Sequence, residues 1–193
     1  MRAFSTLLVA LIAATAWGAV DEHTTFWATF DRSARPDYCV GDWSFALSGS
    51  PDLIQGRRGM ALQLAPGKTL SYPAVDKINP QQGTIEFWLR WPTEPGQDPA
   101  LNILNVQTDA GSYLRFNTVT GGRLGMAYNV GTGERQNWHR VEVPPPGWQP
   151  GEWHHVAGTW GNGVIELFLD GQSVSRAEGI VPLEGKLGQF TLG

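Results

Sequence analysis

Residues 151–171 read GEWHHVAGTWGNGVIELFLDG and contain two extended segments separated by turns. Aromatic and β-branched residues dominate Trp153–Trp160, as is typical of a strand, and Gly161-Asn162-Gly163 interrupts the pattern. Val164–Leu169 resumes it and ends at Asp170-Gly171, which favours a tight hairpin turn because both residues tolerate positive φ. The stretch therefore predicts two paired strands and two turns.

Seven positions of this stretch resemble the signature hairpin of laminin G-like domains, which runs Gly-x-Trp-x-His-Val-Ala, a short turn, and an apolar strand ending in Asp-Gly. They are Trp153, His155, Val156, Ala157, Leu167, Asp170 and Gly171. Phe30-Asp31 resembles the opening of these domains, and Thr84–Trp88 resembles their Thr-Ile-x-x-Trp strand. The resemblance implies an all-β antiparallel two-sheet jelly-roll sandwich of the concanavalin A-like type over residues 22–193. Such domains usually continue with one more strand, so we expect this one to lack its final C-terminal strand.

The remaining chain shows strands at short spacing and no convincing amphipathic helix, which also favours a sandwich. Charged residues are only 17% of the 193, and Gly and Pro are frequent, as tight turns require. Segments 59–64 and 69–72 are expected to pair around Pro66-Gly67, whereas 92–99 and, apart from a short strand at 43–47, residues 32–58 are expected to be loops. Further strands are predicted at 24–30, 43–47, 83–91, 101–108, 112–119, 123–130, 136–143, 172–177 and 186–192.

The N-terminus has the features of a secretory signal peptide. Arg2 supplies a positive charge, Phe4–Ala16 is apolar, and Ala16-Trp17-Gly18 places small residues where a signal peptidase acts. We expect cleavage after Gly18, the alternative being an uncleaved anchor, although the apolar run is short for a membrane span. The predicted location is therefore secreted or cell-surface, without membrane insertion after cleavage, and a bacterial exported protein is the easiest fit.

The net charge limits the classes of partner, and the cysteine content limits the interactions that can stabilise the fold. The formal net charge is −4 and no basic run occurs, which argues against a nucleic-acid partner. Cys39 is the only cysteine, so no internal disulfide can form and stability must come from the core.

Two predicted strands carry chemically mixed faces. Alternate residues of a strand point to opposite faces. In 84–91 and in 112–119, one face is mostly apolar and the other combines aromatic, charged and amide groups. If both mixed faces share the concave sheet, rings could cover a pyranose while polar groups bind its hydroxyls. Alternatively, Trp88 is core and its neighbours form a solvated face. The candidate ligand-binding residues are Glu86, Trp88, Arg90, Tyr113, Arg115 and Asn117.

Tryptophans near the Pro-rich connector 144–147 offer a second location. Trp138, Arg140 and Trp148 flank this connector and could either bind glycan at the rim of the sandwich or cover the edge of its core.

Metal binding has weaker signals. His154 and His155 are adjacent on a strand and must point to opposite faces, so they cannot chelate one ion. The resemblance implies a possible structural calcium, for which Asp31, Asp109 and Asp170 are the candidate carboxylates. None belongs to a recognisable calcium loop, and Asp170 is better explained as a turn residue.

Glycoside hydrolysis would need a pair of carboxylates, and Glu86 and Glu166 are the candidates. The Glu-x-Asp-x-x-Glu cluster of laminarinase-like glucanases is missing from 86–91. We therefore predict an exported non-catalytic binding module that is part of a larger secreted or surface protein, with a polysaccharide or glycan as its partner. The alternatives are a glycan-active hydrolase or lyase and an adhesion or spacer domain.

Overall fold

A computed structural model describes residues 7–10, 20–65, 67–90, 101–119, 121–144 and 147–193. In chain order its strands are β1 (Leu7–Ala10), β2 (Phe26–Trp27), β3 (Tyr38–Cys39), β4 (Ala46–Ser48), β5 (Asp52–Gln55), β6 (Met60–Leu64), β7 (Thr69–Pro73), β8 (Gly83–Arg90), β9 (Asn102–Thr108), β10 (Tyr113–Val119), β11 (Arg123–Val130), β12 (Asn137–Val143), β13 (Trp153–Gly161), β14 (Val164–Leu169), β15 (Gln172–Glu178) and β16 (Leu187–Leu192). A single 3₁₀ turn, Gly133–Arg135, is the one helical element among the described residues. No described helix has the length and hydropathy to cross a membrane.

The strands form two seven-stranded antiparallel sheets and a small two-stranded one. The first sheet has the order β15-β14-β13-β8-β1-β6-β5, and the second has the order β12-β11-β10-β9-β16-β7-β4. β2 pairs only with β3. The predicted antiparallel two-sheet sandwich is confirmed.

The hairpin of residues 151–171 forms as its sequence predicts. β13 pairs with β14 from Val156 opposite Leu169 to Gly161 opposite Val164. Asn162 and Gly163 have φ of 51° and 79°, and Asp170 and Gly171 have φ of 49° and 81°. Both turns therefore use two successive residues with positive φ, the arrangement that matches the twist of paired strands.

The core lies between the two large sheets and consists of the alternate residues that point inward. Phe87 of β8 meets Phe116 of β10 edge-to-face, with 5.3 Å between the ring centroids. Gly158 of β13 faces Phe116 and Met126, so closely that a Cβ there would lie 2.5 Å from either side chain. Side chains of the second sheet thus fill the space that β13 leaves open at Gly158.

Several strand predictions need correction. The strand expected at 24–30 is reduced to β2, and Phe30 at its end adopts φ of 62°, which stops extended pairing. β6 and β7 do not pair with each other, because the chain crosses from the first sheet to the second between them. β5 lies within the segment expected to be a loop. Pro66, Trp91 and the predicted loop 92–99 lie outside the described residues.

The predicted signal region contributes one described strand. β1 lies between β6 and β8 and pairs antiparallel with both. The rest of residues 1–18 lies outside the described part of the chain.

Candidate functional site

The six candidate ligand-binding residues lie on two different outer faces of the sandwich. Glu86, Trp88 and Arg90 point outward from β8 in the first sheet, whereas the other three point outward from β10 in the second. The idea that the two mixed faces share one sheet is therefore wrong. Pairing between distant strands decides which sheet each strand joins, and alternation within one strand carries no information about it.

Trp88 is covered by protein on the outer face of the first sheet. Its side chain is only 9% exposed and packs with Ala61, and the Arg57 guanidinium lies 3.8 Å above its ring. His155 packs beside it, with 5.4 Å between the ring centroids. A ring enclosed in this way offers no open face to a sugar, so the alternative that Trp88 is a packing residue is the one the structure supports.

The second sheet presents an open aromatic pair instead. Trp138 on β12 is 50% exposed, and its indole Nε1–H donates a hydrogen bond of 3.2 Å to the Tyr113 hydroxyl on β10. Asn129 of β11 lies between them in register. This bond spans a whole strand and fixes the orientation of the exposed indole. An anchored ring loses little conformational freedom when it binds a ligand.

Polar groups next to this pair are held in place by one another. Arg115 lies over the Tyr113 ring at 4.8 Å from the centroid, and its Nε–H donates to Asn105 Oδ1 at 2.9 Å. Because this bond uses the Nε–H, the terminal amino groups of the Arg115 guanidinium stay available as donors. A ring, a guanidinium and an amide thus converge on one outer face.

Arg140 extends this face across β11. Its side chain passes over Gly125, where an added Cβ would lie 3.1 Å from the guanidinium, and reaches Asn117 Oδ1 at 3.4 Å. Its Nε–H donates to Glu142 Oε2 at 2.5 Å, and Arg123 donates to the other oxygen at 2.7 Å. A residue larger than glycine at 125 would therefore displace the guanidinium.

Glu142 is the acidic centre of this network. Burial acts to raise the pKa of its carboxyl, but hydrogen bonds from Arg140 and Arg123, together with their charges, outweigh burial and hold the pKa below its ordinary value of 4.5. The carboxylate therefore stays charged at neutral pH and neutralises part of the positive charge on this face.

Trp138 and Arg140 belong to this face, although the sequence placed them at a rim beside the Pro-rich connector. Trp138, Arg140 and Glu142 alternate along β12 with residues that point to the other side. This period of two was present in the sequence and could have identified them as one outward row. Trp148, the third rim candidate, is buried and stacks on the ring of His154 at 4.0 Å.

The histidine pair has structural contacts centred on Asp170. His154 Nδ1 lies 2.8 Å from Asp170 Oδ2, and the His155 backbone N–H donates to Asp170 Oδ1 at 2.9 Å. Asp170 is therefore more than a turn residue, because it ties the turn back to the start of β13. The imidazoles lie on opposite faces, as the sequence predicts.

The three candidate calcium carboxylates do not converge. Asp31 accepts the Met60 N–H, Asp109 accepts the Lys186 N–H, and Asp170 binds the histidine pair. No group of three or more Asp, Glu, His or Cys side chains with metal-binding geometry occurs among the described residues. These carboxylates do not fit a calcium site.

Glu86 and Glu166 share the outer face of the first sheet but are not adjacent. Strand β13 separates them and their register differs by two residues, which places their Cα atoms roughly 12 Å apart. Glu86 Oε2 lies 3.3 Å from His155 Nε2, and Glu166 Oε1 accepts a 2.5 Å bond from the Ser173 hydroxyl. Each carboxylate thus has its own neighbour and neither faces the other.

The sequence matches a laminin G family model described as "Concanavalin A-like lectin/glucanases superfamily" over residues 66–193. The chain therefore belongs to this superfamily, and the resemblance of its signature hairpin is confirmed. No curated protein sequence matches the chain.

Solved structures show the same fold at low sequence identity. Domain 4 of AbnA, a GH43 extracellular arabinanase from Geobacillus stearothermophilus solved with arabinotriose, is 16% identical with a TM-score of 0.65, covering 88% of this chain and 82% of that one. The bacteriophage CBA120 tailspike protein 2 enzymatically active domain is 17% identical with a TM-score of 0.54, covering 77% and 25%. Mouse laminin alpha1 domains LG4-5 are 16% identical with a TM-score of 0.50, covering 64% and 31%. The chain thus spans less than a third of the laminin and tailspike chains.

Proposed function

We propose that this protein is an exported, non-catalytic carbohydrate-binding module of a larger secreted or surface protein. Its binding face is the outer side of the second sheet around Trp138, Tyr113, Arg115, Asn117 and Arg140. The observation that carries the proposal is the half-exposed Trp138 indole, held by its hydrogen bond to Tyr113 beside two arginines.

The chemistry of this face suits a hydroxyl-rich ligand. An indole presents an apolar surface to the C–H groups of a sugar ring. Guanidinium groups donate hydrogen bonds, and amide side chains both donate and accept, so together they can satisfy sugar hydroxyls. The groups are already bonded to each other, which limits the entropy lost on binding. The arabinotriose bound to the arabinanase domain of similar fold supports a short neutral oligosaccharide as the first ligand class to test.

The positions of the carboxylates support the non-catalytic part of the proposal. Glycosidases hold two carboxyl groups about 5–9.5 Å apart on either side of the scissile bond. On the second sheet, Glu142 accepts hydrogen bonds from two arginines. On the first sheet, Glu86 and Glu166 each contact a different neighbouring side chain. No pair of these groups faces a common open site.

A glycan screen with matched variants tests the proposal. Immobilised polysaccharides and a glycan array are probed with the protein, with and without calcium, and hits are titrated by calorimetry. Trp138→Ala and Arg115→Ala are each expected to weaken binding roughly tenfold or more, as truncation of a binding hot spot does. Trp43→Ala is the matched control, because Trp43 is 38% exposed but lies beside β4 at the opposite edge of the sheet.

Arg90→Ala distinguishes the two faces. Arg90 belongs to the outer face of the first sheet, so its removal should leave affinity unchanged. Loss of binding in Arg90→Ala with retention in Trp138→Ala would move the site to the first sheet. Absence of binding by the folded protein to any glycan would contradict the proposal, and release of reducing sugars from a bound glycan would contradict its non-catalytic part.

A further inference from the structure

An open cleft of about 830 Å³ lies at one end of the outer face of the first sheet. Residues of β8, β13, β14 and β15 form its floor. Its walls are the loop that contains residues 77–82, the turn at Gly161-Asn162, and the side chains of His23 and Thr25. Binding sites for small ligands enclose roughly 300–1,000 Å³, so the size of this cleft suits such a ligand.

The floor of the cleft is a row of polar side chains that the register of the sheet places side by side. Thr84 lies opposite Thr159, and Thr159 lies opposite Glu166. Arg176 completes the row on the other side of Glu166. Ile165, the next residue before Glu166, is fully buried in the core, so the row points outward. Neighbouring strands are about 4.8 Å apart, so a ligand along this row meets two hydroxyls, a carboxylate and a guanidinium within roughly 14 Å.

Two hydrogen bonds between distant parts of the chain hold the loop wall in place. The Trp160 indole N–H donates to the Asn79 carbonyl at 3.0 Å, and the Thr25 hydroxyl donates to the Lys77 carbonyl at 2.7 Å. These bonds tie the loop to β13 and to the segment before β2. The exposed residues Asn79 and Gln82 therefore line the cleft from an anchored wall, which limits the conformational entropy lost when a ligand binds.

Opposite charges balance each other on the floor of the cleft. Glu166 and Arg176 are direct neighbours, and Arg176 also contacts Glu178 at 3.0 Å. One oxygen of Glu166 accepts the Ser173 hydroxyl, and the second oxygen of a carboxylate can accept a ligand hydroxyl. Lys77 is only 4% exposed and its ammonium group is buried. A ligand with a net charge would meet a like charge in this row, so the cleft suits a neutral ligand.

We propose that this cleft is a second binding site, which takes a single neutral sugar unit, either free or at the end of a glycan. Threonine hydroxyls both donate and accept hydrogen bonds, a carboxylate accepts them, and guanidinium and amide groups donate them. This mixture of donors and acceptors matches the adjacent hydroxyls of a sugar ring. The site lies on the first sheet and does not rest on the proposed glycan face around Trp138 on the second.

The cleft differs from the Trp138 face in the kind of contact it offers. Among the described residues, no exposed tryptophan, tyrosine or phenylalanine lines it, because Trp160 is 4% exposed and uses its N–H in the wall. Binding in the cleft therefore depends on hydrogen bonds, whose net contribution is modest because water competes for the same groups. We expect a dissociation constant in the millimolar range for a single sugar.

Nuclear magnetic resonance of the indole N–H signals tests the proposal at each site separately. Nitrogen-labelled protein is titrated with neutral hexoses and pentoses and with their methyl glycosides. The Trp160 indole N–H belongs to the cleft wall and should shift saturably, with the same midpoint in the Trp138→Ala variant. Equal affinity for a sugar and its methyl glycoside would identify the ligand as a chain end or a free sugar alike, whereas binding of the free sugar alone would assign the cleft to free sugars.

Conservative variants test the floor of the cleft. Thr159→Val keeps the β-branched shape and Glu166→Gln keeps an acceptor for the Ser173 hydroxyl, and each should weaken binding about tenfold. Thr69→Val is the matched control with unchanged affinity, because Thr69 lies on β7 in the second sheet. Thermal unfolding checks the fold of each variant. Thr84→Val, at an exposed position of the same row, replaces any variant that does not fold.

Four results would overturn the proposal. One is the absence of a saturable Trp160 shift with every neutral sugar. A second is tighter binding of an amino sugar or a uronate than of the neutral sugar with the same ring, which would contradict a neutral ligand. Unchanged affinity in the folded Thr159→Val and Glu166→Gln variants would place the sugar outside the cleft. Loss of the Trp160 shift in Trp138→Ala would assign the sugar to the second sheet.

Discussion

Gly158→Ala should destabilise the protein through a single steric contact between the two sheets. The new Cβ would lie 2.5 Å from Met126 Sδ and 2.5 Å from Phe116 Cζ. Ordinary van der Waals contact requires about 3.5–4.0 Å, so the sheets or these side chains must move by roughly 1 Å. Overpacking of this kind costs about 1–3 kcal/mol. Backbone strain contributes nothing to the difference, since Gly158 is not among the residues with positive φ.

Urea unfolding measures this cost. With a slope of about 2 kcal/mol per molar urea, the midpoint should fall by roughly 0.5–1.5 M. Gly147→Ala is the matched control, because no atom lies within 4 Å of its added Cβ and its midpoint should stay the same or rise slightly. Phe116→Leu shortens the ring that meets Gly158, so the double variant should lose less stability than the two single losses combined. An unchanged midpoint in Gly158→Ala would refute the close approach of the sheets.

Two further predictions concern the carboxylates. Because the folded pKa of Glu142 is depressed, its contribution to stability is present above pH 4.5 and is lost as pH falls through the folded value. Glu142→Gln should therefore be less stable than the parent at pH 7, and the gap in unfolding free energy should narrow at acidic pH; a constant gap would contradict this. Asp170→Ala should cost about 1–3 kcal/mol, because Ala tolerates the positive φ poorly and removes the acceptor of the His155 N–H. Asp170→Asn keeps both features and should cost less, so equal losses on thermal unfolding would refute this account.

The sequence predicted local structure well where a short pattern determines it. β11 and β14 have the predicted bounds, and the two positive-φ turns of the signature hairpin follow from Asn-Gly and Asp-Gly dipeptides. The alternation of β8 also holds, with Ile85 and Leu89 buried. These features depend on residues that are neighbours in the chain.

The features that the sequence did not predict depend on contacts between residues far apart in the chain. No property of Trp88 alone indicates that the Arg57 guanidinium lies on its ring, because the contact requires β5, β6 and β8 to assemble in one sheet. The positive φ of Phe30, which lies three residues beyond the end of β2, could not be predicted, because such a conformation is unusual for an aromatic residue. Trp138 was noticed for its residue type, but its bond to Tyr113 depends on β11 lying between the two strands.

The two outer faces of the sandwich therefore use similar residue types for different purposes. On the first sheet, Arg57 stacks on Trp88, and the Trp88 ring also packs with Ala61, so this ring is already covered by protein. On the second sheet, Arg115 and Arg140 are bonded to neighbouring amide and carboxylate groups, which leaves the Trp138 ring half exposed. An exposed ring can gain binding energy by losing contact with water, whereas a covered ring has already lost it. Of these two rings, Trp138 is for this reason the one expected to bind a ligand, and Trp88 is expected to hold its sheet together.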